Sequence, residues 1–239
     1  MKKLAIGILL IGLFTFFACG NKKDSTNADQ QKLTQQSVSK DVKTESPNKR
    51  YGYESGIIVY KIKANRVQTE KTVYFDNWGA LEAHYTQGFS SVGGKEIMVG
   101  NDITIINEQG VFTYDLNEQT GTKSNIRPTQ GMMNYENMKK AMGEGNVDDY
   151  LEQNNINKLP DEEIAGFTCE VYEMKNIKTW AHEGIMLKME TKMGPMSVIQ
   201  EATKFQPDVP VDAATFRFPD GVNPDEFLDA GKLLQEQRK

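Results

Sequence analysis

Hydrophobic and polar residues alternate along much of the chain beyond residue 51, with the period of two that marks half-buried β-strands. In the first such segment, 56–63, Ile58, Tyr60 and Ile62 share one face. Similar segments predict strands over 69–76, 81–87, 103–107, 110–116, 121–126, 164–174, 184–193 and 196–205. The pattern therefore indicates an antiparallel sheet of about eight or more strands, and a twisted sheet of that size tends to curl.

The period changes to that of a helix in the middle of the chain. Tyr135, Met138 and Met142 are spaced three and four residues apart, which puts them on one helical face. Another helical turn is predicted over 148–153, and a terminal helix over 225–237. The sequence thus predicts an α+β fold, in which a curved antiparallel β-sheet forms a half-barrel with a helical insertion over its concave face.

The first 18 residues have the pattern of a lipoprotein signal peptide. Lys2 and Lys3 precede a 14-residue apolar run, which is too short for a membrane-spanning helix but suits a secretory signal. The run ends in Ala18-Cys19-Gly20, which resembles a bacterial lipobox. We therefore expect diacylglycerol on the Cys19 thiol and a further acyl chain, such as palmitate, on its amine.

A polar segment, 19–50, separates this signal from the rest of the chain. Residues 21–50 carry seven lysines and arginines against four acids, a net charge of +3. They contain too little apolar surface to fold, so 19–50 is predicted to be a disordered tether. We expect one sheet domain over 51–222 and a C-terminal helix or tail over 223–239.

Charge and composition limit the chemistry of the domain. From residue 51 onward there are 19 bases and 29 acids, a net charge of −10, which disfavours nucleic-acid binding. The chain has two histidines and two cysteines, so it cannot form a site rich in either residue. Cys169 is expected to be a buried thiol, and His84 and His182 to be surface or structural residues. We predict no catalytic residue, no metal and no cofactor.

Methionine is unusually frequent, with 11 in the chain. Because methionine is flexible and polarizable, it fills ordinary cores and also lines pockets for varied apolar ligands, and both interpretations stay open. The candidate ligand-lining residues are Met132, Met133, Tyr135, Met138, Met142, Trp180, Met186 and Met189.

Several short motifs resemble those of a known group of proteins. They are Gly166-Phe167-Thr168-Cys169 with Tyr172, Thr179-Trp180, Gly184-Ile185, Pro210-Val211, Phe216, Pro219 and Gly221. This order is similar to that of uncharacterised outer-membrane lipoproteins of Bacteroidota with a LolA/LolB-like, lipoprotein-sorting domain. The resemblance implies a curved sheet that holds acyl chains under a helical lid.

Two functions follow as expectations. The first is a non-enzymatic, lipid-anchored outer-membrane protein, facing the periplasm or the cell surface, that binds a lipid or a lipoprotein acyl chain in the half-barrel. The second is a structural or protein-interaction module in outer-membrane assembly, with a filled core and no ligand.

Overall fold

A computed structural model describes residues 49–65, 67–92, 94–125 and 147–231, and twelve strands in these ranges form one sheet. The first six are β1 (Gly56–Ala64), β2 (Val67–Asp76), β3 (Leu81–Val92), β4 (Lys95–Asn107), β5 (Gly110–Asp115) and β6 (Thr120–Ser124). The others are β7 (Ile156–Ile164), β8 (Phe167–Met174), β9 (Ile177–His182), β10 (Ile185–Met193), β11 (Met196–Pro207) and β12 (Leu228–Asp229).

The strand order is β12-β6-β5-β4-β3-β2-β1-β11-β10-β9-β8-β7, so β1 and β11 join two meanders at the centre. All pairings are antiparallel except the short β12–β6 pair. The predicted large antiparallel sheet is therefore confirmed, and it is curved and unclosed.

Tight turns divide segments that the sequence pattern joins. The predicted strand 164–174 is in fact the end of β7, a turn and all of β8. At that turn Ala165 and Gly166 both have positive φ, as type I′ hairpins require. Glu183 and Gly184 make a similar turn between β9 and β10.

The sheet curls towards one side, which we call the inner face. Although three strands separate β7 from β11 in the sheet, the two are in contact. On the inner face, Phe205 of β11 packs against Phe167 of β8, with 4.8 Å between ring centroids. The buried core comprises Ile58, Tyr60, Val73, Phe75, Ile164, Cys169, Val171, Trp180, Ile185, Leu187, Ala202 and Phe205. Phe75, Cys169, Val171 and Leu187 are completely buried.

Only part of the expected helical structure lies in the described ranges. Helix α1, Val147–Gln153, matches the helical turn predicted over 148–153. The predicted helical face over 135–142 lies outside the described residues, so the helical insertion over the concave face stays a prediction. No helix in the described ranges is long and apolar enough for a transmembrane span.

The C-terminal segment packs on the outer face of the sheet, where the hydroxyl of Tyr85 donates to the carbonyl of Thr215. Tyr114 stacks on Phe227, with 5.9 Å between ring centroids. A helix was expected from residue 225, but Asn223 caps a short 3-10 helix, Pro224–Glu226, and β12 follows. Side chains of the sheet and the pairing of β12 with β6 therefore hold this segment as a strap up to residue 229.

Candidate functional site: the inner face of β1 to β5

Polar side chains cross the inner face in a straight line, which we call the charged row. Lys71 of β2 faces Thr86 of β3, Thr86 faces Asp102 of β4, and Asp102 faces Asp115 of β5. Residues directly opposite one another on adjacent strands project from the same side of a sheet. Lys71 also faces Tyr60 of the core, which places the whole row on the inner face.

Lys71 is a cation in a largely apolar setting. Its Nζ donates to Oε1 of Gln200 at 3.0 Å and lies 5.0 Å from the centroid of the Tyr60 ring. Burial disfavours the ammonium and lowers the pKa of Lys71 to about 8, although the charges of Glu82 and Asp102 oppose this effect. The hydrogen bond and the ring contact of Lys71 are thus both to neutral groups.

The pKa of Asp102 is raised, whereas that of Lys71 is lowered. Burial and the charge of Asp115 raise its pKa to about 6, against the hydrogen bond from Thr86 and the charge of Lys71. Asp115 has a local structural role, because its Oδ1 accepts the backbone N–H groups of Asn117 and Glu118. The row therefore contains one carboxyl group that exchanges its proton in mildly acidic solution.

A second polar cluster lies next to the row and connects it to the N-terminal residues of the domain. Glu82 is buried, and its carboxylate accepts from the Tyr51 hydroxyl at 2.8 Å and contacts the Arg50 guanidinium. His84 Nε2 lies 2.7 Å from the other carboxylate oxygen. Burial alone would raise the pKa of Glu82, but the hydrogen bond and charge of His84, the charge of Arg50 and the Tyr51 hydroxyl together hold it at about 2. Within this cluster the buried Nε of Arg50 has no hydrogen-bond partner among the described residues.

A second row of the inner face runs parallel to the charged row, two residues away from it on each strand. We call it the open row, and from β10 to β4 it consists of Met189, Gln200, Ile62, Thr69, Gly88 and Gly100. A Cβ atom added at Gly100 would have no heavy atom within 4 Å. Met189 and Ile62 are half-buried. At Gly88, by contrast, an added Cβ would lie 3.4 Å from Thr69 Oγ1 and 3.5 Å from Val99 Cγ2, so the floor with open space above it is at Gly100, and the apolar side chains are at the other end of the row.

The structure separates the candidate ligand-lining residues into three groups. Met132, Met133, Tyr135, Met138, Met142 and the predicted lipidation site Cys19 lie outside the described residues. Met186 and Met189 are half-buried, and Met189 belongs to the open row. Trp180 is 2% exposed and part of the core, where its indole N–H donates to Glu162 at 2.9 Å. Contact of any of these side chains with a ligand stays a prediction.

The remaining candidate residues have structural partners. His182 Nδ1 lies 2.7 Å from the Thr168 carbonyl, and its Nε2 lies 2.9 Å from the Tyr53 hydroxyl. Cys169 is a buried thiol, as expected, and burial raises its pKa to about 11. Among the described residues, no three His, Cys, Asp or Glu side chains converge to hold a metal ion.

Sequence reasoning missed both rows. Lys71 shares a face of β2 with Val73, and Asp102 shares a face of β4 with Thr104. A lysine or an aspartate on a strand is ordinarily expected to face water, so the sequence did not single them out. The available signal was that Lys71 lies two residues before Val73, and hence on the apolar face of β2. The register of β2, β3 and β4 was also needed to bring Lys71, Thr86 and Asp102 together.

Comparison with known proteins gives little further information. No family model matches the chain, and no curated protein sequence matches it. An alignment with the crystal structure of MucB covers 72% of this chain and 60% of MucB, with 8% identity and a TM-score of 0.35. An alignment with the crystal structure of LprF from Mycobacterium bovis covers 70% of this chain and 91% of LprF, with 11% identity and a TM-score of 0.30.

The matched region thus spans less than two thirds of MucB. Both TM-scores are below 0.5, so neither likeness indicates a ligand or a partner. Membership of the Bacteroidota lipoprotein group stays a prediction.

Proposed function

We propose that this chain is a non-enzymatic, lipid-anchored outer-membrane protein that binds a hydrophobic ligand on the open row of its inner face. The observation that supports this function is the open space above Gly100, at the end of a row that also contains the half-buried side chains of Ile62 and Met189. The ligand is a lipid or a lipoprotein acyl chain, and the anchor is the acylated Cys19. The protein faces the periplasm, with the cell surface as the second location.

Burial of apolar chain on this floor supplies the binding energy. Each CH₂ group removed from water contributes roughly 0.8 kcal/mol, so burial of about a dozen methylenes contributes roughly 10 kcal/mol, against which the cost of association is set. The helical insertion carrying Met132, Met133, Tyr135, Met138 and Met142 acts as a lid over the bound chain. Met189 and the lid methionines adapt their rotamers to different acyl chains.

Native mass spectrometry of the full chain, expressed in a diderm host and purified from its membranes, tests this function. The wild-type protein is expected to carry noncovalent adducts of lipid mass that organic extraction removes. Gly100→Leu places a side chain on the open row and should reduce the adducts. Gln87→Leu adds the same side chain to the exposed outer face of β3 and should leave them unchanged. A clean mass for the wild type after incubation with phospholipids and fatty acids would contradict the proposal.

A structural or protein-interaction module is the second candidate, and one observation favours it. Twelve buried side chains already fill the part of the inner face around Ile58, Phe75 and Phe205. If the lid segment fills the open row in the same way, the face has no ligand. In that case the wild-type mass stays clean, and Gly100→Leu destabilises the protein by overpacking, typically 1–3 kcal/mol.

A further inference from the structure

One end of the sheet, which we call the tip end, includes three hairpin turns that lie over its central strands. They connect β1 to β2, β3 to β4, and β10 to β11. The registers place them together: Ala64 faces both Val67 and Val198, Val67 faces Ser90, and Thr191 faces Val198. The tip end is therefore a continuous border of the sheet rather than three separate loops.

Exposed apolar side chains concentrate at the tip end. Ile97, Met98 and Val99 begin β4, and Met193 and Met196 flank the β10–β11 turn; each is between 44% and 49% exposed. Among the described residues, the other large hydrophobic side chain with comparable exposure is Leu228, in the middle of the β12–β6 pair. Five of six such side chains thus lie at one end of the molecule.

The charge of the tip end differs from that of the domain. Lys63, Lys95 and Lys192 stand beside the three turns with one acid, Glu96, and all four are exposed. At the opposite end, the β2–β3, β4–β5 and β9–β10 turns carry Asp76, Glu108 and Glu183; two bases are also there, Lys49 over the Trp78 ring and Arg50 paired with Glu82. The β5–β6 turn at the tip end has Asp115 and Glu118, so the basic surface is over the central strands. Since the domain carries a net charge of −10 from residue 51, this distribution opposes the overall charge.

From this distribution we infer that the tip end docks on the surface of an anionic phospholipid membrane. The apolar side chains of Ile97, Met98, Val99, Met193 and Met196 enter the boundary between headgroups and acyl chains, as interfacial anchors do. The lysines pair with lipid phosphates, an interaction that decays within a Debye length. The acidic opposite end faces away, because like charges repel it from the membrane.

This contact is distinct from the lipid anchor. The described chain begins at the end opposite the tips, where the backbone N–H groups of Arg50 and Tyr51 donate to the carbonyl of Trp78. β4, with 13 residues, sets the height of the sheet at roughly 40 Å. Roughly 30 residues between Cys19 and Lys49 reach up to about 100 Å when extended, which is enough for the tips and the anchor to share one membrane.

An environment-sensitive fluorophore tests the inference on the full chain, purified from membranes and reconstituted in vesicles. Met98→Cys places the label at the tips, and Leu228→Cys places a matched label at the other exposed apolar position. The unsubstituted chain, carried through labelling, measures any signal from Cys19 or the buried Cys169. Vesicles of phosphatidylcholine with phosphatidylglycerol are compared with vesicles of phosphatidylcholine alone.

We expect a blue shift and brighter emission at position 98 on anionic vesicles, reversed by high salt, and no change at position 228. Replacing Lys63, Lys95 and Lys192 with glutamine should lower the ratio of docked to undocked tips on anionic vesicles by roughly 100-fold at low salt. The inference is overturned if the label at position 98 stays in water on both vesicles, or if both give the same shift. If the emission shift appears only when another envelope protein is present, the tip end binds that protein rather than the membrane, and the inference is overturned. None of these outcomes affects the ligand proposal, which depends on the open row.

Discussion

Replacing Glu82 with glutamine removes the anion from a buried polar cluster and leaves the Arg50 charge without its partner. In the native protein the pKa of Glu82 falls from the ordinary value of 4.5 to about 2. That interval corresponds to roughly 3 kcal/mol of folding free energy, which is also the usual cost of breaking a buried ion pair. We therefore expect Glu82→Gln to destabilise the protein by roughly 3 kcal/mol at pH 7.

The pH dependence gives this prediction a characteristic sign. A carboxyl group whose pKa is depressed on folding stabilises the protein above the unfolded pKa, and this stabilisation is lost as the pH falls through the folded value. The wild type should thus lose stability between about pH 4.5 and pH 2 from this group, whereas the glutamine variant does not. The difference between the two proteins should shrink to roughly 1 kcal/mol at pH 2.5.

Urea unfolding followed by circular dichroism at pH 7, 5, 4 and 2.5 measures both quantities. Glu70→Gln is the matched control, because Glu70 is exposed on the outer face of the neighbouring strand β2; its effect should stay within about 0.5 kcal/mol. The reasoning is wrong if Glu82→Gln costs less than about 1 kcal/mol at pH 7. It is also wrong if the cost is the same at every pH.

Three further predictions concern the row and the core. The raised pKa of Asp102, about 6, means that its contribution to stability is full below about pH 4 and is lost as the pH rises to 6. Asp102→Asn should therefore raise the free energy of unfolding at pH 7 by roughly 1 kcal/mol after allowance for partial exposure, seen as a higher midpoint of thermal unfolding, and give no gain at pH 3.5. Leu187→Ala should lower the free energy of unfolding in urea by roughly 2–5 kcal/mol, since the side chain is completely buried. Leu228→Ala, at an exposed site, should lower it by less than about 0.5 kcal/mol. Equal losses would refute the assigned core. Burial raises the pKa of the Cys169 thiol to about 11, so it should react with iodoacetamide at pH 8 in urea but not in the native chain. Fast labelling of the native chain, located at Cys169 by peptide mapping, would instead show an accessible thiol.

The sequence pattern was sufficient for strands that alternate clearly between apolar and polar residues. In β1, Ile58, Tyr60 and Ile62 repeat every second residue, and the predicted segment 56–63 matches Gly56–Ala64 to within a residue. β7 was missed because Ile156–Ile164 is mostly polar and contains Pro160, a composition that edge strands tolerate and that does not give a period. Its assignment depends on pairing with β8, which is information about tertiary contacts.

The positions of the charged groups could not be predicted in the same way. An alternating strand shows which residues share a side, but the sequence does not say which side of a curved sheet is enclosed when both faces carry apolar residues. Tyr74 and Tyr85 on the outer face contact each other, with 5.7 Å between ring centroids, while Lys71 lies on the inner one. A one-residue change in register would move Lys71 away from Thr86 and Asp102.

By itself, the sequence determined the predominance of β-strands, the acidic charge of the domain and the expectation of a lipid anchor at Cys19, because each depends on local composition or period. The tertiary structure alone decided that Lys71, Glu82 and Asp102 are enclosed, that Gly88 and Gly100 lie side by side, and that the exposed apolar residues share one end. These features depend on which strands pair and how the sheet curls. Both are set by long-range packing, which places residues far apart in the chain next to one another.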